Sequence, residues 1–209
     1  MTHPTYLICG FGRCGSSMVM QMLHAGGIHC VGDWPDFEAP GIETVATMLR
    51  QPPTTAMDGV AVKILDATSR HDFDLPKRGT GYRALWLDRN PDQQARSACK
   101  FMAATNSFPP GNRQHQRALR AQLAKSYTDD RAMCITRLHR ICGQQPLILT
   151  FENILRDPAR IASKLAAWTG RQLDERRMAR QVVPRTPNCL PGLLELAQLF
   201  DRRAAQGGA

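Results

Sequence analysis

Nine consecutive residues, Cys9 to Ser17, constrain this chain more than any others: "CGFGRCGSS". The apolar run "TYLI" leads into them and the helical pattern "MVMQMLHAGG" follows. A short apolar strand, a glycine-rich turn and a helix make one unit of a parallel sheet, because parallel neighbours need a long return crossover. Further apolar runs at 60–65, 84–87 ("ALWL") and 147–151 ("LILTF") read as more buried strands, with a short fifth at 28–31. Helical patterns fill the gaps at 16–25, 91–104, 112–142, 158–169 and 193–203. Their ends carry the expected signals: Asn90 and Asp157 as caps, each followed by proline, and glycine after 25 and 169.

The expectation is a single α/β domain over residues 1–209. It is a three-layer, P-loop-like fold with a central parallel sheet of about four to five strands flanked by helices, and 204–209 form a loose tail. A chain of 209 residues has room for one full-sized core. Two loops, 50–59 and 105–112, are placed to fold over a substrate.

The strongest bulk signal is a formal net charge of +9. Such a charge suits nucleic acid, an anionic surface or a polyanionic small ligand. Aromatic content of 6% and the absence of an RNA-binding signature leave little for base stacking, so no nucleic-acid partner is expected. Seven scattered cysteines without a C-x-x-C pair argue for reduced thiols in a cytoplasm. The sequence shows no secretion signal, no apolar run of membrane-spanning length and no zinc-type cluster.

In "GFGRCGSS" the N–H groups of Gly15, Ser16 and Ser17 open a helix and suit an anion, with Arg13 and two hydroxyls as further donors. A nucleoside-triphosphate loop of the form G-x-x-x-x-G-K-[ST] has lysine after its second glycine. Here Gly10 and Gly15 have that spacing, but Ser16 takes the lysine position and the cation, Arg13, precedes the glycine. Cys14 could be a helix-start nucleophile. However, a phosphatase loop would carry arginine six residues after it, where Met20 stands.

The segment "GRCGSSMVMQML" resembles the 5′-phosphosulfate loop of the PAPS-dependent sulfotransferases, P-[KR]-S-G-T-[TS], PAPS being 3′-phosphoadenosine 5′-phosphosulfate. Arg13 matches the basic residue, Gly15 the glycine, and Ser16 and Ser17 the hydroxyl pair, while Gly12 replaces proline and Cys14 replaces serine. "LWLDRNPDQQARS" resembles the family's 3′-phosphate unit, with Arg89 at a strand end and Ser97 eight residues on. "LTFENILRDPARIASKLAAWTG" resembles its strand–[YF]-E-x-L-x-x-D-P–helix segment, in which Glu152 buttresses the sheet edge. "VVPRTPN" is closer to bacterial and Golgi-type members than to cytosolic ones.

The resemblance implies an enzyme that moves a sulfuryl group from PAPS, as co-substrate and without metal, to a hydroxyl or amine acceptor. Arg13, Cys14, Gly15, Ser16 and Ser17 would hold the phosphosulfate, and Arg89 and Ser97 the 3′-phosphate. Lys63 matches the lysine of the cytosolic K-x-H segment and would touch the sulfuryl group, but Leu65 takes the histidine position. By analogy with the tyrosylprotein type, Asp33 is the expected general base, with Asp36, Glu38 and Asp66 behind it. A small molecule, a lipid or a saccharide all remain open as acceptor, as does the oligomeric state. Two rivals also stand: a nucleotide kinase or hydrolase using Asp88 for metal, and a basic nucleic-acid or anion-binding module without catalysis.

Overall fold

We describe the chain from a computed structural model that defines residues 3–38, 58–66, 75, 81–104 and 113–183. Four strands form one parallel sheet: β1 (Thr5–Gly10), β2 (Ala61–Leu65), β3 (Tyr82–Asp88) and β4 (Leu147–Thr150). Their order is β2-β1-β3-β4. Helix α1 (Ser16–Ala25) follows β1, and α2 (Pro91–Ala104) and the long α3 (Arg113–Cys142) follow β3. After β4 come α4 (Phe151–Arg156), α5 (Pro158–Thr169) and α6 (Glu175–Arg180).

The alternation of side chains along β1 builds both layers of core. Tyr6 and Ile8 face α1, α5 and α6, where they meet Val19, Leu23, Leu165 and Met178. Leu7 and Cys9 face the other way, with Trp86 of β3 and Cys134 and Leu138 of α3. Every residue of β1 is buried, as a central parallel strand covered on both faces must be. Each fully buried aliphatic side chain there contributes about 1.5–3 kcal/mol. The three layers anticipated from the apolar runs are therefore present.

Several boundaries follow from local chemistry. Helices 16–25, 91–104 and 158–169 fall where caps and glycines place them, and α3 is described from Arg113, residue 112 lying outside the described residues. Residues 28–31 form no strand; Cys30 makes a single parallel bridge to Ala61 at the sheet margin. The strand expected to reach 151 stops at Thr150, whose hydroxyl accepts from the Asn153 N–H at 3.3 Å and caps α4. Asp174 caps α6 in the same way, through the Arg177 N–H at 2.9 Å. The expected last helix at 193–203, the tail at 204–209 and nearly all of the two expected loops lie outside the described residues.

The chain passes from β1 to β2 on one side and then back across β1 to β3 on the other, so the strand order reverses between β1 and β3. Beyond the carboxyl end of such a strand a crevice opens, and there α/β proteins place their ligands. The stretch "GFGRCGSS" starts at that edge. No helix among the described residues is long and apolar enough to cross a membrane.

Candidate functional site

The loop between β1 and α1 is shaped by close contacts that only glycine permits. Gly15, the residue before α1, has φ 98°, and a Cβ there would stand 2.7 Å from Cδ2 of Phe151. A Cβ on Gly10 would meet the Cys14 sulfur at 2.7 Å. Arg13 itself has φ 71°, a left-handed conformation that is costly for a long side chain and that turns the loop back on itself. Helix α1 begins with no side-chain cap, and Gly15, Ser16 and Ser17 line the cavity in front of it. An uncapped helix N-terminus carries partial positive charge and suits an anion.

Three segments read separately in the sequence come together around this loop. Arg89, buried, donates from a guanidinium NH to the carbonyl of Arg13 at 2.9 Å. The Nε of Arg13 donates to the Ser97 hydroxyl at 3.4 Å, and its guanidinium lies 4.8 Å from the Phe101 ring centre. Phe151 fills the space between Gly15 and Arg89, the latter stacked 4.2 Å from its ring centre. Glu152 accepts from the Asn90 N–H at 3.0 Å and so supports the strand end next to Arg89. Gln94 of α2, which the sequence reading passed over, donates to the carbonyls of Phe11 and Gly12 at 3.1 and 2.9 Å. The two phosphate-type motifs are thus fastened to each other through backbone and side chain.

On the opposite flank, Lys63, buried in the middle of β2, donates to three acceptors. These are Oε1 of Glu38 at 2.6 Å, the Ser17 hydroxyl at 3.4 Å and the Asp36 carbonyl. Asp66, just beyond β2, accepts the Gly12 N–H on Oδ1 at 2.9 Å. Burial pushes its carboxyl above the usual aspartate range; the Gly12 N–H works against that rise and the nearby Glu38 charge adds to it.

The cavity between these flanks has a volume of about 310 Å³. Its lining combines Gly12, Arg13, Gly15, Ser16, Ser17, Glu38 and Asp66 with the largely apolar Leu65, Ala98, Phe101, Met102, Leu123 and Tyr127. Of the four candidate bases, Glu38 and Asp66 reach it. Asp33 is exposed in the turn that ends at Phe37, outside the lining, and Asp36 contributes its carbonyl to Lys63. Arg89 and Ser97 stand behind the loop instead of in the cavity wall.

Cys14 turns its side chain into the core, and its N–H is spent on the Phe11 carbonyl at 3.2 Å, so its part is to pack the loop. Burial pushes its thiol up to about 12, which removes any thiolate nucleophile at neutral pH. Asp88, the strand-end carboxylate a kinase would need for metal, is gripped by Arg131 at 2.5–3.0 Å and by the Trp86 indole N–H at 2.6 Å. Among the described residues no group of three or more His, Cys, Asp or Glu is arranged to hold a metal ion.

No protein-family model matches the sequence, and no curated protein matches it. Solved structures do. Mouse sulfotransferase SULT7A1, complexed with PAP, superimposes with a TM-score of 0.60 at 14% identity, over 86% of this chain and 62% of its own. This chain therefore spans less than two thirds of that protein. A sulfotransferase from Alicyclobacillus acidocaldarius gives a TM-score of 0.50 at 15% identity, over 98% of this chain and 94% of its own. The sulfotransferase domain of the Synechococcus PCC 7002 olefin synthase gives 0.52 at 15% identity, over 88% and 78%. With its parallel sheet, its uncapped β1–α1 loop and these structural neighbours, the chain has the sulfotransferase fold.

Proposed function

We propose that this protein transfers a sulfuryl group from PAPS to a hydroxyl or amine acceptor. The observation that carries the reading is the convergence of three ordered motif segments on one loop: Arg13 to Ser17, Arg89 to Ser97, and Phe151 with Glu152. The PAP bound to the mouse neighbour supports the same donor. The residues present suit an anionic 3′,5′-substituted nucleotide, offering an uncapped helix start, two hydroxyls and three cations at one sheet edge.

Bound PAPS supplies an activated sulfuryl group and a phosphate leaving group. In this reading Gly15, Ser16 and Ser17 bind the phosphosulfate end, and Arg13 offsets charge on the departing phosphate. Arg89 and Ser97 hold the 3′-phosphate, which requires Arg89 to exchange its bond to the Arg13 carbonyl for the ligand. Lys63 faces the sulfuryl oxygens once Glu38 releases it. Asp66 takes the acceptor's proton as the new O–S or N–S bond forms; it displaces Asp33 from that role because it lines the cavity and its raised pKa makes it the stronger base. The six free thiols among the described residues accord with a cytoplasmic setting.

Calorimetric titration with PAP, beside AMP and ATP with Mg²⁺, tests the donor site on wild type, Arg89→Ala and Ser97→Ala. Preference for PAP over AMP, lost in both variants, is the expected result. Indifference to the 3′-phosphate, or preference for ATP with Mg²⁺, overturns the reading.

A further inference from the structure

Three consecutive carbonyls of the β1–α1 loop are held by side chains from β3 and α2. The buried amide of Gln94 donates from Nε2 to the Phe11 carbonyl at 3.1 Å and to the Gly12 carbonyl at 2.9 Å, and the Arg13 carbonyl takes the Arg89 guanidinium at 2.9 Å. In a trans peptide the N–H points opposite to the C=O. The peptide joining Phe11 to Gly12 is therefore bracketed. Its carbonyl is on Gln94, and its N–H is on Oδ1 of Asp66 at 2.9 Å. Gly12 stands where the sulfotransferase pattern has proline, and a proline has no N–H to give. The fit is also close, since a Cβ on Gly12 would come 3.2 Å from the second carboxylate oxygen of Asp66. The bond from loop to carboxylate is thus made by a residue in which this chain departs from the pattern.

From this bracket we infer that Gln94 is a positioning residue: it fixes the Phe11–Gly12 peptide so that the Gly12 N–H stays on the Asp66 carboxylate, and it keeps that hold when Arg89 exchanges the loop for a ligand. The role of Asp66 as base rests on the sulfuryl-transfer reading; the hold on its carboxylate does not. An N–H aimed at a carboxylate favours the charged form. Burial and the Glu38 charge act on Asp66 in the other direction. Around it also stand Arg13 and Lys63, the lysine spent on Glu38, and the Tyr127 phenol and Cys14 thiol, both kept protonated by burial. Without the Gln94 amide, the Phe11 carbonyl keeps the Cys14 N–H at 3.2 Å, and the peptide is freer to turn. The carboxylate then loses its N–H and binds a proton more tightly. A base that holds its own proton at neutral pH cannot take the acceptor's. Gln94 lies between Arg89 and Ser97, so the segment proposed for the 3′-phosphate also sets the readiness of the base at the other end of the donor.

NMR of the full-length protein, labelled with 15N and with 13C at the aspartate carboxyls, reads this bond without any turnover, and Asp66→Asn assigns the Asp66 signal. In wild type the Gly12 amide proton should lie downfield and follow the Asp66 titration, a test that depends on no variant folding. Gln94→Met, close in volume but without a donor, should cut that response and raise the proton affinity of Asp66 about tenfold, with the other amide signals showing an intact fold. Gly12→Pro removes the same N–H directly, and in that background Gln94→Met should add nothing. With radiolabelled PAPS and 2-naphthol, Gln94→Met should lose activity at neutral pH and regain it at alkaline pH. A Gly12 amide that ignores the Asp66 titration, or an Asp66 midpoint unchanged in folded Gln94→Met, overturns the inference and leaves PAP binding standing. So does an activity loss equal at every pH, the mark of a structural role alone. Failure of PAP to bind while the NMR effects appear removes the sulfotransferase reading and keeps the hold of Gln94 on Asp66.

Discussion

Two cations flank the β1–α1 loop, one from each neighbouring strand, and they are held in different ways. Arg89, just past β3, is buried against a backbone carbonyl and an aromatic ring. Lys63, in the middle of β2, is equally buried but holds the carboxylate of Glu38, whose side chain is 63% exposed. A guanidinium on a carbonyl and a ring keeps its full charge, and in the proposed reading it gives up only a neutral partner to take a phosphate. An ammonium on a carboxylate has its charge already answered, and it becomes available only when that carboxylate moves. Both must exchange a bond for the ligand, the first with a neutral competitor and the second with a charged one.

The comparison can be broken from the Arg89 side most severely. Arg89→Ala should lower PAP affinity about 100-fold, on the scale of two charge-assisted hydrogen bonds, and Arg89→Lys should recover only a part of it. An Arg89→Lys protein that binds PAP as well as wild type does would show that a point charge suffices there. Gly15→Ala should come next. Its φ of 98° and the 2.7 Å approach to Phe151 predict a loss of about 1–3 kcal/mol in stability, read as a lower Tm, with weakened PAP binding in the protein that remains folded.

From the Lys63 side the effect is smaller and of opposite sign. Glu38→Gln should leave folding intact and raise PAP affinity about two- to fivefold, because an ion pair with so exposed a partner is worth at most about 1 kcal/mol. Unchanged or weaker affinity would mean that Glu38 serves Lys63 as a support, not as a competitor.

Asp66 supplies a test through pH. Its carboxyl is raised by burial, so kcat/KM should climb with pH through a value above the ordinary aspartate range and level off beyond it; Asp66→Asn should lose most activity along with that acid limb. The stability consequence has a definite sign. A raised folded-state pKa means that ionising Asp66 disfavours the fold. This cost is absent below the ordinary aspartate range and grows as pH rises to the folded value. Asp66→Asn should therefore compare better with wild type at neutral than at acid pH, as thermal denaturation at the two pH values would reveal. The smallest effect expected is at a cap: Thr150→Ala should cost about 1 kcal/mol, through the first turn of α4.

The sheet was legible because each central strand is an uninterrupted apolar run, and α1, α2 and α5 were legible because caps, prolines and glycines mark their ends. The short helix α4 was not. "LTFENILR" carries a β-like apolar run straight into a helix, and the only punctuation is a threonine, which favours strands and caps helices alike. The loop motif and the Arg89–Ser97 unit could be read because their spacing is local to one turn or one helix. The proposed base had no local signal. Counting along the chain reached Asp33, whereas the carboxylates that line the cavity are Glu38 and Asp66, the latter next to Gly12 yet 54 residues away in sequence. The apolar part of the cavity lining left no signal at all, since Phe101, Met102, Leu123 and Tyr127 come from two helices whose own patterns explain each residue as ordinary packing. Only the way α2 lies along α3 makes them one surface.

The Asp88–Arg131 clamp has a mechanical consequence. Helix α3 spans 30 residues, about 45 Å of rise. Its buried positions, Cys134, Arg137 and Leu138, all lie on the far side of the clamp from Leu123 and Tyr127. The helix is held to the sheet at Arg131, one turn earlier by Tyr127 stacked on Phe11, and along its first half by α2, where Arg120 meets Asp92 at 3.7 Å. The position of Leu123 and Tyr127 in the cavity lining is thereby tied to a joint between Asp88 and Arg131 that is itself no part of that lining.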